Sequence, residues 1–361
     1  MAPLYRLVRP LIFRLDPETA HEWSIRALKI KGAFPRAGST RTQVQFPRLR
    51  QRLFGLDFPN PVGLAAGHDK DARAVDAALG LGFGFVEAGT VTPLPQPGNP
   101  RPRVFRLVKD KAIINRFGFN SRGHAAAIKE LKRRRPQRGI VGINIGANKV
   151  SEDRIADYVS GYSAFAPLAD YITVNISSPN TPALRELQSQ DELRPLLSGL
   201  AEARRQFAMP GQKIPPLLLK IAPDLSQTEL AAVVEVAIET GIDGLIVANT
   251  TTSRPQLQSR HGGEAGGLSG RPLLSLSTAT LASAYRLAAG RMPLIGVGGV
   301  SSARNAFDKI TAGASLVQLY SALIYEGPGL ARRIVTELDA IIEAEGYASL
   351  GEAVGTRAEK F

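Results

Sequence analysis

The segment YITVNISSPNT, residues 171–181, places an apolar strand directly before a run of amide and hydroxyl side chains. Short apolar runs with polar ends recur along the chain from residue 62 onward, with helix-length segments between them. The eight runs cover residues 62–66, 85–90, 140–145, 171–176, 217–221, 244–249, 294–298 and 316–320. Near-continuous apolar strands are typical of parallel sheets covered on both faces. The repeat predicts an α/β protein, a (β/α)8 barrel of the TIM type, with an open sheet of seven or eight strands as the alternative.

Polar residues and glycines cluster where these predicted strands end, as at 175–178, 249–250 and 298–299. In a (β/α)8 barrel the C-terminal ends of all strands meet at one face, and that face carries the active site. The opposite face mainly supports the fold. Eight polar clusters at one face therefore predict that the chain is an enzyme.

The composition excludes several classes of protein. The chain has 361 residues, of which 44% are hydrophobic and 21% charged, as in globular proteins. It contains no cysteine, which excludes disulfides, thiolate or Fe–S ligation and a cysteine base. Its four histidines are far apart in the sequence, so we expect no metal site. No apolar run has the length of a spanning helix, and we expect no signal peptide.

The N-terminal segment differs in charge from the rest. Residues 1–52 contain eleven Lys or Arg and three Asp or Glu, an excess of eight within the chain's net charge of +13. Two short helices, 3–13 and 17–31, are predicted before a link that contains Gly and Pro. Apolar residues at helical spacing with interleaved arginines are typical of a helix that lies on an anionic lipid surface. A helix pair that packs on the barrel and exposes a solvated basic face is the alternative.

Glycines follow the seventh predicted strand, in GVGG at 296–299, and Tyr320 and Ser321 follow the eighth. Loops after these two strands commonly bind phosphate in barrel enzymes, where main-chain N–H groups can approach the anion closely. The chain contains no GxxxxGK[ST] motif, and no strand–GxGxxG–helix unit opens it. A P-loop nucleotide site and a nicotinamide site are therefore not supported.

Asparagines recur at the predicted strand ends, in NRFGFN (115–120), NISSPN (175–180) and NT (249–250). A carboxamide donates and accepts hydrogen bonds without charge, so several together can bind a planar polar heterocycle. A single buried asparagine is more often structural. Lys220 closes an apolar strand, where its ammonium needs a negative partner unless it extends to the rim.

Eleven motifs occur in the order found in one enzyme family. They are AAGHDKD (65–71), EAGTVTP (87–93), PGNPRPR (97–103), NRFGFN (115–120), GINIG (142–146), NISSPNT (175–181), KIAPD (220–224), ANTT (248–251), GGLSGRP (266–272), GVGG (296–299) and QLYS (318–321). On these motifs the chain resembles the class 2, quinone-dependent dihydroorotate dehydrogenases over essentially its whole length. One departure is Ala248, where relatives often have threonine.

The resemblance implies a flavoprotein oxidoreductase that oxidises (S)-dihydroorotate to orotate in pyrimidine biosynthesis, with one FMN per chain. By position it implies FMN contacts at Ala66, Gly67, His68, Asp69, Lys70, Thr90, Asn144, Asn175, Lys220, Ala248, Gly270, Gly299, Tyr320 and Ser321. It implies dihydroorotate contacts at Lys70, Asn115, Arg116, Phe117, Gly118, Phe119, Asn175, Asn180, Asn249 and Thr250.

The resemblance also implies how the reaction runs. Ser178 would be the catalytic base that removes the C5 proton, with Thr181 and a water as its proton relay. Lys220 would stabilise negative charge on the reduced flavin. A serine base agrees with the lack of cysteine, since class 1 relatives use a cysteine base.

The basic helix pair matches the extension that class 2 relatives use at the membrane. We therefore divide the chain into residues 1–40, for membrane and quinone access, and residues 41–361, the FMN-binding barrel. His21, Arg106 and Tyr320 are candidates for the quinone pocket, although a helix-surface histidine is the alternative for His21. The expected partners are ubiquinone or another membrane quinone and an anionic membrane surface. A monomer, peripheral on the cytoplasmic face of the cell membrane, is expected.

Two other functions fit parts of the sequence. A flavin barrel reductase that acts on a pyrimidine or a tRNA uridine would suit the charge of +13, but Ser178 stands where such reductases are expected to carry cysteine. A basic nucleic-acid-binding protein would suit the same charge. No recognisable nucleic-acid-binding module occurs, so no nucleic-acid partner is expected.

Overall fold

The structure, a computed structural model, describes residues 2–33, 46–134, 139–181, 184–208 and 213–361. The strands within these residues are β1 (Gln51–Leu53), β2 (Leu56–Phe58), β3 (Val62–Leu64), β4 (Phe85–Val91), β5 (Val104–Leu107), β6 (Ala112–Asn115), β7 (Ile140–Ile145), β8 (Tyr171–Asn175), β9 (Leu217–Ile221), β10 (Gly244–Val247), β11 (Gly267–Gly270), β12 (Leu294–Val297) and β13 (Ala314–Leu319). The α-helices within them are α1 (Ala2–Ile12), α2 (Pro17–Ala33), α3 (Val75–Leu79), α4 (Gly123–Leu131), α5 (Arg154–Phe165), α6 (Gln190–Phe207), α7 (Gln227–Glu239), α8 (Leu274–Ala288), α9 (Ala303–Thr311), α10 (Ser321–Glu326), α11 (Leu330–Ala344) and α12 (Leu350–Ala353).

A closed barrel forms the centre of the molecule. Eight strands of the described chain close it in the order β3, β4, β7, β8, β9, β10, β12 and β13, and all neighbours are parallel. Each strand predicted from an apolar run is present within two residues of its predicted bounds. Pairing of β13 with β3 completes the ring, so the predicted (β/α)8 barrel is confirmed and the open sheet is wrong.

The N-terminal end of the barrel is filled by apolar side chains. Phe85 and Tyr171, the first residues of β4 and β8, point into this cluster together with Leu56 and Phe58 of the antiparallel β1–β2 hairpin. The rings of Phe58 and Phe85 meet edge to face, with centroids 5.2 Å apart. A Cβ at Gly142 would lie 2.0 Å from Cζ of Tyr171, so only glycine leaves room for this ring. The hairpin therefore closes this end of the barrel.

A small antiparallel sheet, in the order β11–β6–β5, stands over the opposite end. Strands β5 and β6 belong to the connection between β4 and α4, and β11 belongs to the connection between β10 and α8. Neither this sheet nor the β1–β2 hairpin was predicted from the sequence. Their strands lie outside the repeat of apolar runs and helix-length segments that predicted the barrel strands, and each has a polar or charged residue within its three or four positions.

Helices α1 and α2 confirm the predicted helix pair and pack on the barrel. The Tyr5 hydroxyl donates to the carbonyl of Ile324 at 2.5 Å. Glu18 of α2 forms an ion pair with Arg103 at 2.6 Å, and both side chains are almost completely buried. The predicted boundary between residues 40 and 41 lies outside the described residues. No helix in the described ranges is both long and apolar enough to cross a membrane.

Candidate active site

One large cavity opens at the C-terminal mouth of the barrel and extends outward beneath α1 and α2. Its volume is about 760 Å³. Loops that follow the barrel strands form its inner part, and the small sheet and the two N-terminal helices form its outer part. Most of the residues predicted to bind FMN or dihydroorotate line the inner part. They share this single space with the three candidates for the quinone pocket.

The predicted site residues that line the cavity are Ala66, Gly67, His68, Lys70, Thr90, Asn115, Phe117, Gly118, Phe119, Asn175, Ser178, Asn180, Lys220, Ala248, Asn249, Thr250, Gly270, Gly299, Tyr320, Ser321, His21 and Arg106. These residues are separated by up to about three hundred positions in the sequence, and the barrel topology brings their strand ends to one mouth. Ser178 and Lys220 therefore lie at the same mouth.

Four predicted site residues do not line this cavity. The Asp69 carboxylate accepts two main-chain N–H groups, at 2.6 and 2.9 Å, just before α3. Arg116 is turned to Glu264, with 2.7 Å between Nη1 and Oε2. Asn144 is buried beneath the cavity. Thr181 is buried, and its hydroxyl has no hydrogen-bond partner in the described part of the chain. Their predicted roles stay predictions.

Glu87 is fully buried inside the barrel, on β4. Its carboxylate accepts hydrogen bonds from Asn144 Nδ2 (2.8 Å), Gln318 Nε2 (2.9 Å), the Tyr171 hydroxyl (3.2 Å) and the Thr173 hydroxyl (3.2 Å). Burial raises the pKa of the Tyr171 phenol, and the charge of Glu87 raises it further, so this hydroxyl remains a donor. The carboxylate is thus held by four donors from the three strands β7, β8 and β13.

Lys220 is the fourth residue of β9, and only 5% of it is exposed. Burial lowers the pKa of its ammonium, and the negative charge of Glu87 opposes that shift. Among the described residues, Nζ has no hydrogen-bond acceptor. A buried cation in this position is available to an anionic ligand in the cavity, and Glu87 compensates its charge from below.

A chain of hydrogen bonds connects three amides and two hydroxyls at the ends of four barrel strands. Asn175 Nδ2 donates to the Thr90 hydroxyl at 2.9 Å, and that hydroxyl donates to Asn144 Oδ1 at 2.6 Å. The Ser177 hydroxyl donates to Asn175 Oδ1 at 2.9 Å and accepts from Asn249 Nδ2 at 3.0 Å. Because each amide is held by a neighbour, the chain sets the orientation of the groups that face a ligand.

Ser178 follows this network and lines the cavity. Its hydroxyl oxygen accepts a hydrogen bond from the main-chain N–H of Asn180 at 3.3 Å. The Asn180 side chain in turn donates to Asn115 Oδ1 at 3.4 Å. Within the described residues no carboxylate or imidazole contacts the Ser178 hydroxyl, so a proton removed by Ser178 would have to leave through water.

Lys70 borders the same space. Its Nζ donates to the carbonyl of Gly67 at 3.2 Å and lies 4.1 Å from the centre of the Phe117 ring. Burial lowers the pKa of this ammonium to about 8, although the charge of Glu18 opposes the shift. At neutral pH it remains mostly a cation that can contact an anionic ligand.

Two glycines line the cavity at points where the main chain packs closely on neighbouring protein segments. Gly270 and Gly299 have φ angles of 95° and 79°, which favour glycine. A Cβ at Gly299 would lie 2.5 Å from Cα of Leu274, and one at Gly270 would lie 2.5 Å from the carbonyl oxygen of Lys111. Gly299 follows β12, the seventh barrel strand, and the loops after the seventh and eighth strands of (β/α)8 enzymes commonly bind phosphate, whereas Gly270 ends β11.

The outer part of the cavity contains the candidates for the quinone pocket. The Tyr320 hydroxyl and His21 Nδ1 are 3.4 Å apart, and the ring of His68 packs edge to face on both rings. Arg106 Nη2 donates to the main-chain carbonyl of Leu15 at 2.5 Å. His21 is partly buried and lines the cavity, and its place in a quinone pocket stays a prediction.

The sequence analysis missed Glu87 and Ser177 as parts of the site. Glu87 carried a signal, since it is the one charged residue in the apolar run FVEAGTV. A carboxylate in a strand that is covered on both faces needs a buried partner. Ser177 is adjacent to the predicted base Ser178, and nothing in the sequence indicates that the two hydroxyl groups have different roles.

Comparison with known proteins identifies the family. Residues 48–342 match the protein family described as dihydroorotate dehydrogenase. The chain belongs to the dihydroorotate dehydrogenase family. A relative from Azorhizobium caulinodans, named dihydroorotate dehydrogenase (quinone), is 55% identical over 355 residues, and the alignment covers 98% of each chain. A relative of the same name from Parvibaculum lavamentivorans is 56% identical over 353 residues, again with 98% of each chain covered.

Solved structures of dihydroorotate dehydrogenases have the same architecture. The crystal structure of DHODH in complex with ferulenol, from Eimeria tenella, superposes with a TM-score of 0.89 at 39% identity. The alignment covers 96% of this chain and 98% of that one. The ligand-free form of DHODH from that organism has a TM-score of 0.88. The resemblance seen in the sequence motifs is therefore confirmed at the level of the family.

Proposed function

We propose that this chain is a dihydroorotate dehydrogenase that uses FMN to oxidise (S)-dihydroorotate to orotate and a membrane quinone as the electron acceptor, in pyrimidine biosynthesis. One observation carries the proposal. Ser178, Lys220 and the pair His21–Tyr320 all line one continuous cavity of about 760 Å³. A donor and an acceptor can therefore approach one flat cofactor from different parts of the same space.

The residues at the barrel mouth fit FMN. Gly270, Gly299 and Ser321 line the cavity, and Gly299 lies in the loop after β12, the seventh barrel strand, where (β/α)8 enzymes commonly bind phosphate. The buried ammonium of Lys220 fits the polar edge of a flavin, where negative charge increases on reduction. FMN, when bound, takes a hydride from the substrate and passes the electron pair to the quinone. The individual FMN contacts predicted from the sequence remain proposals.

Ser178 is proposed to take the C5 proton of dihydroorotate. Its hydroxyl lies in the cavity beside the amides of Asn175, Asn180 and Asn249, which can orient the carbonyl and N–H groups of a pyrimidine ring. An unassisted serine is a weak base at neutral pH, so its own proton must pass to another acceptor. Thr181 and a water are proposed as this relay.

The visible spectrum of the purified protein tests the proposal. We expect an oxidised flavin spectrum that bleaches on anaerobic addition of dihydroorotate and returns on addition of a short-chain ubiquinone. A colourless protein would contradict the cofactor. A yellow protein that dihydroorotate leaves unbleached would contradict the substrate and favour a flavin reductase that acts on another pyrimidine.

The N-terminal helices are proposed to bring the cavity to the membrane. Tyr5 and Ile12 of α1 line the cavity, whereas Leu7 and Leu11 are 76% and 61% exposed. An apolar face of this kind can enter the headgroup region of a bilayer. Arg9 donates to the main-chain carbonyl of Tyr325 at 3.0 Å, so it contributes less to a basic face than its sequence position suggests. Residues 1–40 as an access module, peripheral attachment and the cytoplasmic side of the membrane remain proposals.

Charged substitutions on α1 test membrane attachment. Leu7→Glu/Leu11→Glu is expected to weaken binding to vesicles that contain anionic lipid by about 100-fold, because two leucines can no longer be buried in lipid. Cosedimentation with the vesicles measures this. Leu94→Glu/Val150→Glu is the control, since both side chains are as exposed but lie outside the N-terminal helices. Equal loss in both variants would show that net charge alone determines binding.

A further inference from the structure

The proposed function leaves a proton unaccounted for at the quinone. Oxidation of dihydroorotate releases two electrons and two protons, and reduction of a quinone to a quinol consumes the same. Ser178 removes one of the two protons, and it leaves on the substrate side. The electron pair carries at most one proton with it. At least one proton must therefore reach the quinone from solvent, through walls that are largely apolar.

A second cavity, of about 490 Å³, lies beside the quinone end of the first. It is situated between α2 and the loops around residues 70 and 120, and charged side chains line it, among them Glu22, Asp71, Arg73 and Arg122. The Glu22 side chain is 42% exposed, so this polar cavity reaches the protein surface. Water at its mouth is thus close to the wall that it shares with the large cavity.

Two histidines form part of that wall. His21 and His68 line both cavities, whereas Tyr320 lines only the large one. The three rings are in contact: the His21 and His68 centroids are 5.6 Å apart, and the His68 and Tyr320 centroids are 5.4 Å apart. His68 is buried, and its Nδ1 has no hydrogen-bond partner within the described ranges. A buried ring nitrogen without a partner is rare unless a ligand or water completes it.

Both histidines are suited to pass a proton without storing charge. Burial lowers the pKa of His68 to about 4, and the charge of Lys70 adds to the shift. Burial likewise lowers the pKa of His21, and the charges of Lys70 and Arg73 contribute. A neutral imidazole donates from one nitrogen while the other accepts, so it can exchange a proton between its two sides.

Lys70 also borders both cavities, but its Nζ is engaged with the Gly67 carbonyl and the Phe117 ring. Phe117 belongs to the predicted substrate contacts. The histidines, in contrast, contact Tyr320 on the quinone side. The ammonium of Lys70 therefore lies on the substrate side of the cavity, and the imidazoles of His21 and His68 lie on the quinone side.

We propose that His21 and His68 conduct a proton from the polar cavity to the quinone head group beside Tyr320. A proton from water in the polar cavity binds one ring nitrogen, and the proton on the other nitrogen passes to a quinone oxygen. The quinone thus receives two electrons and two protons and becomes a quinol. One proton comes through the histidines, and the other accompanies the electron pair. The proposal rests on the proposed function.

The variant His68→Phe tests this role, since it keeps an aromatic ring in the wall and removes both nitrogens. Because His68 is also a predicted FMN contact, both half-reactions are measured per bound FMN by anaerobic stopped-flow spectroscopy on the same FMN-loaded variant, with bleaching by dihydroorotate as the internal reference. Relative to that reference, reoxidation by a short-chain ubiquinone is expected to slow by about 100-fold, with an increased solvent deuterium isotope effect. Calorimetric titration with a redox-inactive quinone analogue is expected to give an unchanged Kd. His68→Gln is expected to give the same results as His68→Phe, because its amide cannot relay a proton in this way.

Chemical rescue and a matched control complete the test. In His68→Ala, added imidazole is expected to restore reoxidation, because the space left by the ring adjoins the polar cavity. His124→Phe is the control. Like His68, His124 is buried and packs edge to face on an aromatic ring, in this case Phe165, but it lines neither cavity. Wild-type reoxidation in His68→Phe and His68→Gln, or a Kd that rises by the same factor as the rate falls, overturns the relay. Failure of the wild type to bleach with dihydroorotate overturns the proposed function instead.

Discussion

Replacing Ser178 by alanine is expected to slow the bleaching of bound FMN by dihydroorotate by about 10²- to 10⁴-fold, while the flavin content stays unchanged. The hydroxyl lies in the cavity, and its described hydrogen bond is one accepted from the Asn180 main chain. Its own proton is therefore free to leave when the oxygen takes the substrate proton. Anaerobic stopped-flow spectroscopy of a single turnover measures the rate, and absorbance after denaturation measures the flavin.

The control for this substitution is Ser189→Ala. Ser189 lies in the same connection between β8 and α6, is exposed, and makes no side-chain hydrogen bond to the helix that it precedes. Bleaching at the wild-type rate in Ser178→Ala would remove Ser178 from the role of base. Loss of flavin in that variant would show that the hydroxyl supports the cofactor site instead.

Glu87→Leu is expected to lower the free energy of unfolding by about 3–5 kcal/mol, because it leaves buried hydrogen-bond donors and a buried ammonium uncompensated. Four hydrogen-bond donors that now converge on the carboxylate would lose their acceptor. Lys220 would remain buried without the charge that compensates it. Urea denaturation followed by circular dichroism measures the change.

Two further variants sharpen this prediction. Glu87→Leu/Lys220→Met is expected to regain part of the lost stability, because it removes the uncompensated ammonium, and yet to bind FMN poorly. Glu202→Gln is the control, since Glu202 is exposed and contacts only its helix neighbours Arg205 and Gln206. A loss below about 1 kcal/mol in Glu87→Leu would contradict the compensating role of the carboxylate.

The barrel was predictable because its strands are nearly continuous apolar runs at regular spacing. The β1–β2 hairpin and the β5–β6–β11 sheet were not, since their strands interrupt short apolar stretches with polar residues and lie outside that repeat. Leu56 and Phe58 close the barrel through tertiary contacts, and the sequence around them does not distinguish them from other apolar residues.

Much of the candidate site could be located from strand ends, since barrel topology brings them together irrespective of sequence distance. The direction in which each side chain points could not be predicted in the same way. Arg116 lies within the NRFGFN motif and yet turns to Glu264, and Asn144 lies beneath the cavity rather than on it. The polar cavity beside His68 depends on how α2 docks, which involves the buried pair Glu18–Arg103, a contact across 85 residues.

The hairpin that closes the N-terminal end of the barrel limits the routes by which ligands can reach the cavity. With Phe58 packed on Phe85, no passage leads along the barrel axis. Under the proposed function, dihydroorotate and the quinone would therefore both enter from the C-terminal side of the barrel.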